Sequence, residues 1–204
     1  MSKPGVMPAN AGKPMPVHAR RHASRGFAML HTTSGSVVVL VDLQTRLMPA
    51  IHEGASVVAQ AVRLGRIAQG LDVPIVGTEQ TPDALGENAK EIKSLCSSTV
   101  VKHHFDATAA GLIDALPQGR RRAIVAGCEA HVCVLQTVMG LLDRGFAVTL
   151  VADATGSRKL VDRDAAISRL NKAGAEVATV EMVAFEWLRS SEHPRFRDIL
   201  QLIR

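Results

Sequence analysis

Short apolar runs alternate with longer segments of helical spacing from Ser36 to the end of the chain, and this alternation constrains the fold most. The runs are too short for helices and rich in β-branched residues, which favours strands buried on both faces. Strands are expected at residues 37–41, 73–78, 99–101, 123–126, 147–151 and 177–180. Helices are expected at residues 57–71, 87–95, 108–116, 132–144 and 162–173, with two more in 181–203. The pattern, without a repeat or an internal linker, predicts an α/β domain around a parallel sheet.

The positive charge of the chain is concentrated near its N-terminus. Residues 1–41 contain no Asp or Glu and carry five of the 24 basic residues, which leaves 19 basic and 19 acidic residues in the remainder. The net charge of +5 therefore does not indicate a polyanion-binding surface on the folded part. With no Tyr, one Trp and five Phe, the chain also has few side chains for stacking on bases. Nucleic acid is not expected as a partner.

Residues 1–34 are expected to form a flexible, basic, proline-containing arm, and residues 35–204 the folded domain. The arm resembles a mitochondrial transit peptide in its Arg, Ser and Ala content, but its prolines disfavour the amphipathic helix that such a peptide needs. An arm that contacts a partner is the other interpretation. No apolar run reaches the about 18 residues of a membrane span, so no membrane association is expected. The scattered cysteines suit a reducing compartment, so we expect a cytoplasmic location, with a mitochondrial one as the alternative.

Cys133 lies where a predicted strand turns into a predicted helix. The apolar run 123–126 ends in Gly127, and helical spacing begins at Val132. A thiol in the first turn of a helix is close to unpaired backbone N–H groups and to the positive end of the helix dipole, both of which favour the thiolate. Cys133 is therefore a candidate nucleophile, and a small apolar residue at a helix start is the alternative.

Asp42 and Lys102 also follow predicted strands directly. Ligands of open parallel sheets bind beyond the carboxyl ends of the strands, where the strand order reverses. In the common order 3-2-1-4-5-6, Asp42 and Cys133 would face one crevice, with Lys102 reaching into it. Alone, Asp42 could cap a helix and Lys102 could be a solvated loop residue. Together with Cys133 they form a coherent set of a base, a cation and a nucleophile, beside N–H groups that can stabilise an oxyanion.

Several segments resemble those of the isochorismatase-like cysteine hydrolases. The resemblance covers residues 35–204 and is closest to the subgroup that contains isochorismatase domain-containing protein 2. It is carried by Val39-Leu40-Val41-Asp42-Leu43-Gln44, Thr78-Glu79-Gln80, Val101-Lys102 with Phe105, the block 127–137 around Cys133, residues 141–145, Asp153-Ala154, Ser157-Arg158, and the pattern from His193-Pro194 to Ile203.

This resemblance implies a three-layer αβα Rossmann-like fold with six parallel strands and a catalytic triad of Asp42, Lys102 and Cys133. It further implies a cis peptide bond near Cys128-Glu129 that directs the N–H groups of Glu129 and Cys133 at an oxyanion. Isochorismatases proper have a non-thiol residue at the nucleophile position, so Cys133 favours hydrolysis of an amide-type C–N bond. The family also forms homo-oligomers.

A metal or another cofactor is not expected. Nicotinamidases of this superfamily carry an Asp-x-His metal motif, and His52 has no Asp two residues before it. His103 and His104 are adjacent in an extended segment, so their side chains point in opposite directions. No glycine-rich nucleotide-binding motif follows any predicted strand.

Four further residues are assigned to the substrate pocket. Gln44, Glu79 and Gln80 follow the first two strands and match the subgroup. His131 is a possible second base, with local packing as the alternative.

The C-terminal segment is expected to support a homo-oligomer, because Phe185, Trp187 and Leu188 offer apolar surface beyond what a closed domain needs. The main functional alternative to a hydrolase of a small molecule is a binding or scaffold protein of the same fold.

Overall fold

A computed structural model describes residues 30–203. Its centre is a six-stranded, all-parallel sheet with the strand order β3-β2-β1-β4-β5-β6. The strands are β1 Ser36–Val41, β2 Ile75–Gln80, β3 Ser98–Lys102, β4 Arg122–Cys128, β5 Ala147–Gly156 and β6 Glu176–Ala178. The order reverses between β1 and β4, and the predicted αβα fold is confirmed.

Helices cover both faces of the sheet. They are α1 Gly54–Gly70, α2 Pro82–Leu85, α3 Lys90–Lys93, α4 Leu112–Ala115, α5 Leu135–Asp143, α6 Leu160–Ala173, α7 Val180–Leu188 and α8 Phe196–Ile203. Short 3-10 turns at Met48–Ala50 and Ala107–Ala110 complete the connections. None of the helices within residues 30–203 combines the length and the hydropathy needed to cross a bilayer.

The central strand β1 divides the core in two. Val38 and Leu40 point to the face that α1, α7 and α8 cover, whereas Val37, Val39 and Val41 point to the face of α4, α5 and α6. Because successive side chains of a strand alternate between faces, a run of apolar residues serves both layers at once.

Several element boundaries differ from the sequence-based expectation, and three of these differences have a clear structural basis. The structure extends β5 to Gly156, because its second half pairs with the end of β4 after a register shift. The strand expected at 177–180 ends at Ala178, since the Thr179 hydroxyl accepts a hydrogen bond from the N–H of Met182 and caps α7. A π-helical turn, Ala130–Val134, precedes α5 and holds Cys133.

The predicted arm lies largely outside the described residues, which begin at Leu30. His31, within the range assigned to the arm, is buried against the domain, where its Nε2 is 2.7 Å from Thr149 Oγ1 and its Nδ1 contacts the Glu186 carboxylate. Packing of the domain therefore includes His31, four residues before the predicted domain start.

Candidate active site

Asp42 directly follows β1, Lys102 is the last residue of β3, and Cys133 lies in the turn after β4, so all three lie at the carboxyl edge of the sheet. Strand pairing accounts for the convergence: Val41 aligns with Gly127 of β4 on one side and with Thr78 of β2 on the other. Lys102 is aligned with Gln80 across the next pair of strands. The nucleophile, the carboxylate and the cation predicted from sequence thus lie at or just beyond the carboxyl ends of separate strands that the strand order places close together.

Asp42 and Lys102 form a buried ion pair. Lys102 Nζ lies 2.7 Å from Asp42 Oδ2, and the two side chains are 0% and 1% exposed. The other carboxylate oxygen, Oδ1, accepts a hydrogen bond of 2.6 Å from the Thr78 hydroxyl. Both oxygens of this carboxylate are therefore held by donors, which is how buried charge is tolerated in a protein interior.

Cys133 is 6% exposed and packs into the same face of the sheet as Val41 and Val76. Burial, and after it the charge of Asp42, raise the pKa of the Cys133 thiol to about 12, against the lowering effect of the Lys102 charge and hydrogen bond. The sequence predicted a thiolate, but desolvation outweighs the helix start and the cation. The thiol is therefore neutral at rest, next to a carboxylate that can take its proton.

Gly127 allows β4 to approach β1 closely, a few residues before Cys133. Its φ is +127°, and a Cβ built on it would lie 2.0 Å from the carbonyl oxygen of Val41. Only glycine fits this combination of space and backbone conformation. The chain then passes through a cis peptide bond between Cys128 and Glu129, as the resemblance implied.

Glu129 begins the turn that carries Cys133. Its carbonyl oxygen accepts hydrogen bonds from the N–H groups of Val132 at 3.0 Å and Val134 at 3.2 Å, while its own N–H has no backbone acceptor within residues 30–203. Its side chain receives hydrogen bonds from the N–H and the guanidinium of Arg158, at 3.2 and 2.9 Å. The turn is thus fixed at two points. The assignment of the Glu129 and Cys133 N–H groups to an oxyanion hole stays a prediction.

Gln44 and Gln80 lie beside the ion pair, but their amide groups have partners within the chain. Gln44 bonds to the main chain of Gln80 and of Gly86, and Gln80 bonds to Lys102 and to the segment after β3. Both residues are buried. Their geometry supports a role in holding other groups more than the predicted contact with substrate.

Glu79 points away from the triad. It alternates with Thr78 and Gln80 along β2 and therefore faces the opposite side of the sheet, where its carboxylate accepts a 2.8 Å hydrogen bond from the N–H of Asn88. The sequence-based assignment of Glu79 to the pocket overlooked this alternation. His131 Nδ1 is 3.0 Å from the Ser157 hydroxyl, in keeping with the local bonding considered as its alternative role.

Thr78 was not singled out from the sequence, although it donates to Asp42. It could have been found from the strand pattern, because it stands two residues before Gln80 at the end of β2 and so shares its face. Within residues 30–203, no group of three His, Cys, Asp or Glu side chains is arranged to hold a metal ion.

A cavity of about 690 Å³ opens on the same edge of the sheet, between the loops after β1 and β2. Thr45, Arg46, Asp83 and Gly86 are among its lining residues, and Cys133 is not. The cavity is linked to the residues beside the ion pair through Gln44, which donates to the Gly86 carbonyl and bonds to the main chain of Gln80. It is a neighbour of the candidate site and separate from the sulfur.

Sequence comparisons identify related proteins over most of the domain. The Isochorismatase domain model matches residues 36–182. The chain is 35% identical over 175 residues to isochorismatase domain-containing protein 2A of Mus musculus, covering 83% of this chain and 82% of that protein. It is 36% identical over 172 residues to isochorismatase domain-containing protein 1 of Danio rerio, covering 83% of this chain but spanning only 61% of the length of that protein.

Solved structures with the same fold include two proteins that carry different functional names. MAR1 ribonuclease from Caenorhabditis elegans superposes with a TM-score of 0.81 and 31% identity, over 86% of this chain and 92% of that one. The YcaC gene product of Escherichia coli, described as an octameric hydrolase of unknown specificity, superposes with a TM-score of 0.74 and 23% identity, over 84% and 94% of the two chains. At that identity, the second likeness is one of fold alone.

Proposed function

The chain belongs to the isochorismatase family, and from this premise we propose that it is a cofactor-independent cysteine hydrolase that cleaves the C–N bond of a small amide-type substrate. Family membership was predicted from sequence and is confirmed by the matches to the domain model and to its curated members. The observation that carries the proposal is the buried Asp42–Lys102 pair, 2.7 Å between Nζ and Oδ2, next to the thiol of Cys133.

The first half of the reaction forms a thioester. Asp42 takes the proton of the Cys133 thiol as sulfur attacks the substrate carbonyl, so that an S–C bond forms and the carbonyl electrons move to oxygen. Backbone N–H groups of the turn at Glu129 stabilise this oxyanion. The tetrahedral intermediate then collapses, the C–N bond breaks, and Asp42 returns the proton to the departing amine.

The second half restores the enzyme. Asp42 takes a proton from water as the water oxygen attacks the thioester, and the C–S bond breaks with return of the proton to sulfur. One amide and one water give one carboxylic acid and one amine. Because the high pKa of Cys133 keeps the thiol neutral, the reaction relies on proton transfer to Asp42 during the attack and does not draw on a standing thiolate.

Lys102 stabilises the negative charge that moves between Asp42 and Cys133. Its ammonium lies against the carboxylate in a site that excludes water, where electrostatic interactions are stronger than at the surface. The charge of the cluster therefore changes little during the proton transfer.

The test is hydrolysis of a panel of small primary amides, with release of ammonia as the readout. The Cys133→Ala variant is expected to lose turnover completely and to keep the unfolding temperature of the wild type, since it removes only a sulfur at an edge of the core. Cys96→Ala, on the other face of the sheet, is the matched control and is expected to retain activity. An active Cys133→Ala protein would exclude the thioester mechanism.

Two alternatives remain distinct outcomes of the same experiment. A binding or scaffold protein would bind amides without releasing ammonia. The name of the C. elegans relative suggests RNA as a substrate, but the formal neutrality of residues 42–204 and the few aromatic side chains argue against it. RNA cleavage that persists in Cys133→Ala, with no amide hydrolysis by the wild type, would favour that class over ours.

We further propose that the chain forms a homo-oligomer through its C-terminal helices. Phe185 on α7 is 40% exposed and supports this surface. Trp187 and Leu188 do not contribute to it, because both are buried in the core of the protomer, where the Trp187 indole donates to the Ser36 hydroxyl. The apolar surface is thus smaller than the sequence suggested.

A further inference from the structure

Gln80 makes a second hydrogen bond to the ammonium of the candidate site. Its Oε1 lies 2.8 Å from Lys102 Nζ, on the side of the nitrogen that Asp42 does not occupy. The register of the sheet causes this contact, because Gln80 is the residue of β2 aligned with Lys102 of β3. The cation is therefore held between one carboxylate and one amide oxygen.

The orientation of the Gln80 amide is fixed by what its nitrogen contacts. Nε2 donates to the carbonyl oxygen of His103 at 2.9 Å and lies 3.2 Å from the Thr81 hydroxyl. A carbonyl oxygen can only accept, so the amide nitrogen must face His103 and the amide oxygen must face Lys102. The polar network thus assigns Gln80 Oε1 as an acceptor for the ammonium.

Gln44 fixes the main chain of Gln80 from the other side. Its Oε1 accepts from the Gln80 N–H at 2.8 Å, and its Nε2 donates to the Gln80 carbonyl at 3.0 Å. A second bond from Gln44 Nε2 to the carbonyl of Gly86, at 2.5 Å, ties this clamp to the loop after β2. The main-chain N–H and carbonyl groups of Gln80, and both polar atoms of its side-chain amide, are consequently restrained by hydrogen bonds.

An ammonium group has three N–H donors in a tetrahedral arrangement. Two of those of Lys102 are directed at Asp42 and Gln80, and these two bonds fix the rotation of the group. We propose that Gln80 is a positioning residue, which fixes the Lys102 ammonium so that its third N–H is directed at the sulfur of Cys133. The catalytic meaning of this inference rests on the proposed function.

Loss of the Gln80 acceptor frees the ammonium to rotate about its bond to Asp42. The Lys102 hydrogen bond to Cys133 lowers the pKa of the thiol, so a misdirected N–H leaves that pKa higher. While most of the thiol is protonated, its alkylation rate is proportional to the thiolate fraction. Reactivity of Cys133 towards iodoacetamide therefore reports the position of Lys102 without any substrate.

The test compares alkylation rates of Cys133, followed by peptide mass spectrometry from pH 7 to 9, in the full chain. Gln80→Met keeps the length of the side chain and removes the acceptor, and is expected to slow alkylation about tenfold at each pH, equivalent to one pKa unit or about 1.4 kcal/mol. Gln69→Met is the matched control, because Gln69 donates to the Leu95 carbonyl far from the triad. Its rate is expected to stay within about twofold of the wild type.

A double-mutant cycle with Lys102→Met separates positioning from a general structural role. If Gln80 acts through the ammonium, Gln80→Met changes the rate less than about twofold in the Lys102→Met background. An equal loss in both backgrounds overturns the inference, as does a Gln80→Met rate within about twofold of the wild type. Should Gln80→Met fail to fold, Gln80→Asn keeps a buried amide, shortens the reach to Lys102 by one methylene, and carries the same expectations.

The outcome of the alkylation experiment does not depend on the outcome of the hydrolysis assay, so the two proposals can be refuted separately. A slowed alkylation that disappears without Lys102 supports the positioning of the ammonium even if no amide is hydrolysed. Conversely, robust hydrolysis with unchanged alkylation in Gln80→Met sustains the proposed function and removes Gln80 from it. When a substrate is available, Gln80→Met is expected to lower kcat and leave KM near its wild-type value.

Discussion

Replacing Lys102 with Met removes one partner of a fully buried ion pair and leaves the Asp42 carboxylate without its cation. The charges lie 2.7 Å apart. At an effective dielectric constant of about 20, this separation corresponds to a Coulomb energy of about 6 kcal/mol. The Thr78 hydroxyl remains as a donor and compensates part of the loss. We therefore expect the free energy of unfolding to fall by about 3–5 kcal/mol, the range for breaking a buried pair from one side.

Urea unfolding at pH 7, followed by far-UV circular dichroism, measures this loss. The matched control is the double variant Asp42→Asn/Lys102→Met, which removes both charges and leaves no uncompensated ion in the core. It is expected to recover about 2 kcal/mol or more relative to the sum of the single variants. A loss below about 1 kcal/mol for Lys102→Met, or strict additivity in the double variant, would show that the pair is not buried as described.

Two further predictions concern the backbone that precedes Cys133 and the buried histidine. Gly127→Ala is expected to lower Tm far more than Gly145→Ala. Both glycines have a positive φ, but a Cβ at position 127 would lie 2.0 Å from the Val41 carbonyl oxygen, whereas a Cβ at position 145 would have no atom within 4 Å. Equal shifts of Tm in thermal unfolding would contradict the close approach. Burial lowers the pKa of His31 from its usual 6.5, against the opposing effect of Glu186. The unfolded chain then binds the proton more readily, so stability is expected to fall as the pH drops through 6.5; His31→Gln should show a smaller fall of Tm between pH 7 and 5, and an identical profile would refute this.

The strand order and the convergence of Asp42 and Lys102 could both be predicted from the sequence, and the reason is physical. In a parallel sheet, a polar residue that directly follows a buried apolar strand must lie at the carboxyl end of that strand. The order 3-2-1-4-5-6 then decides which strand ends are neighbours. Local pattern and topology suffice for such placements, because neither depends on how individual side chains pack.

What the sequence predicted less well depends on tertiary contacts. The Cys133 pKa was expected to be low from its position at a helix start, whereas burial by the surrounding core raises it. Glu79 and Gln80 are adjacent in sequence, but their side chains lie on opposite faces of β2, so only Gln80 lies beside the ion pair. Trp187 looked available for an interface and is instead part of the core. Each of these outcomes requires knowing which side of an element is covered.

Lys102 is the last residue of β3, and β3 is an outermost strand with a single hydrogen-bonded neighbour. Edge strands open more readily than central ones, because the backbone groups on their outer side form no hydrogen bonds with another strand. Lys102 is thus carried by one of the two edge strands, whereas Asp42 and Cys133 follow the interior strands β1 and β4. The hydrogen bonds from Gln80 to Lys102 and to the His103 carbonyl connect this edge strand to β2, so local opening of β3 would break the same contacts that hold the Lys102 ammonium in the candidate site.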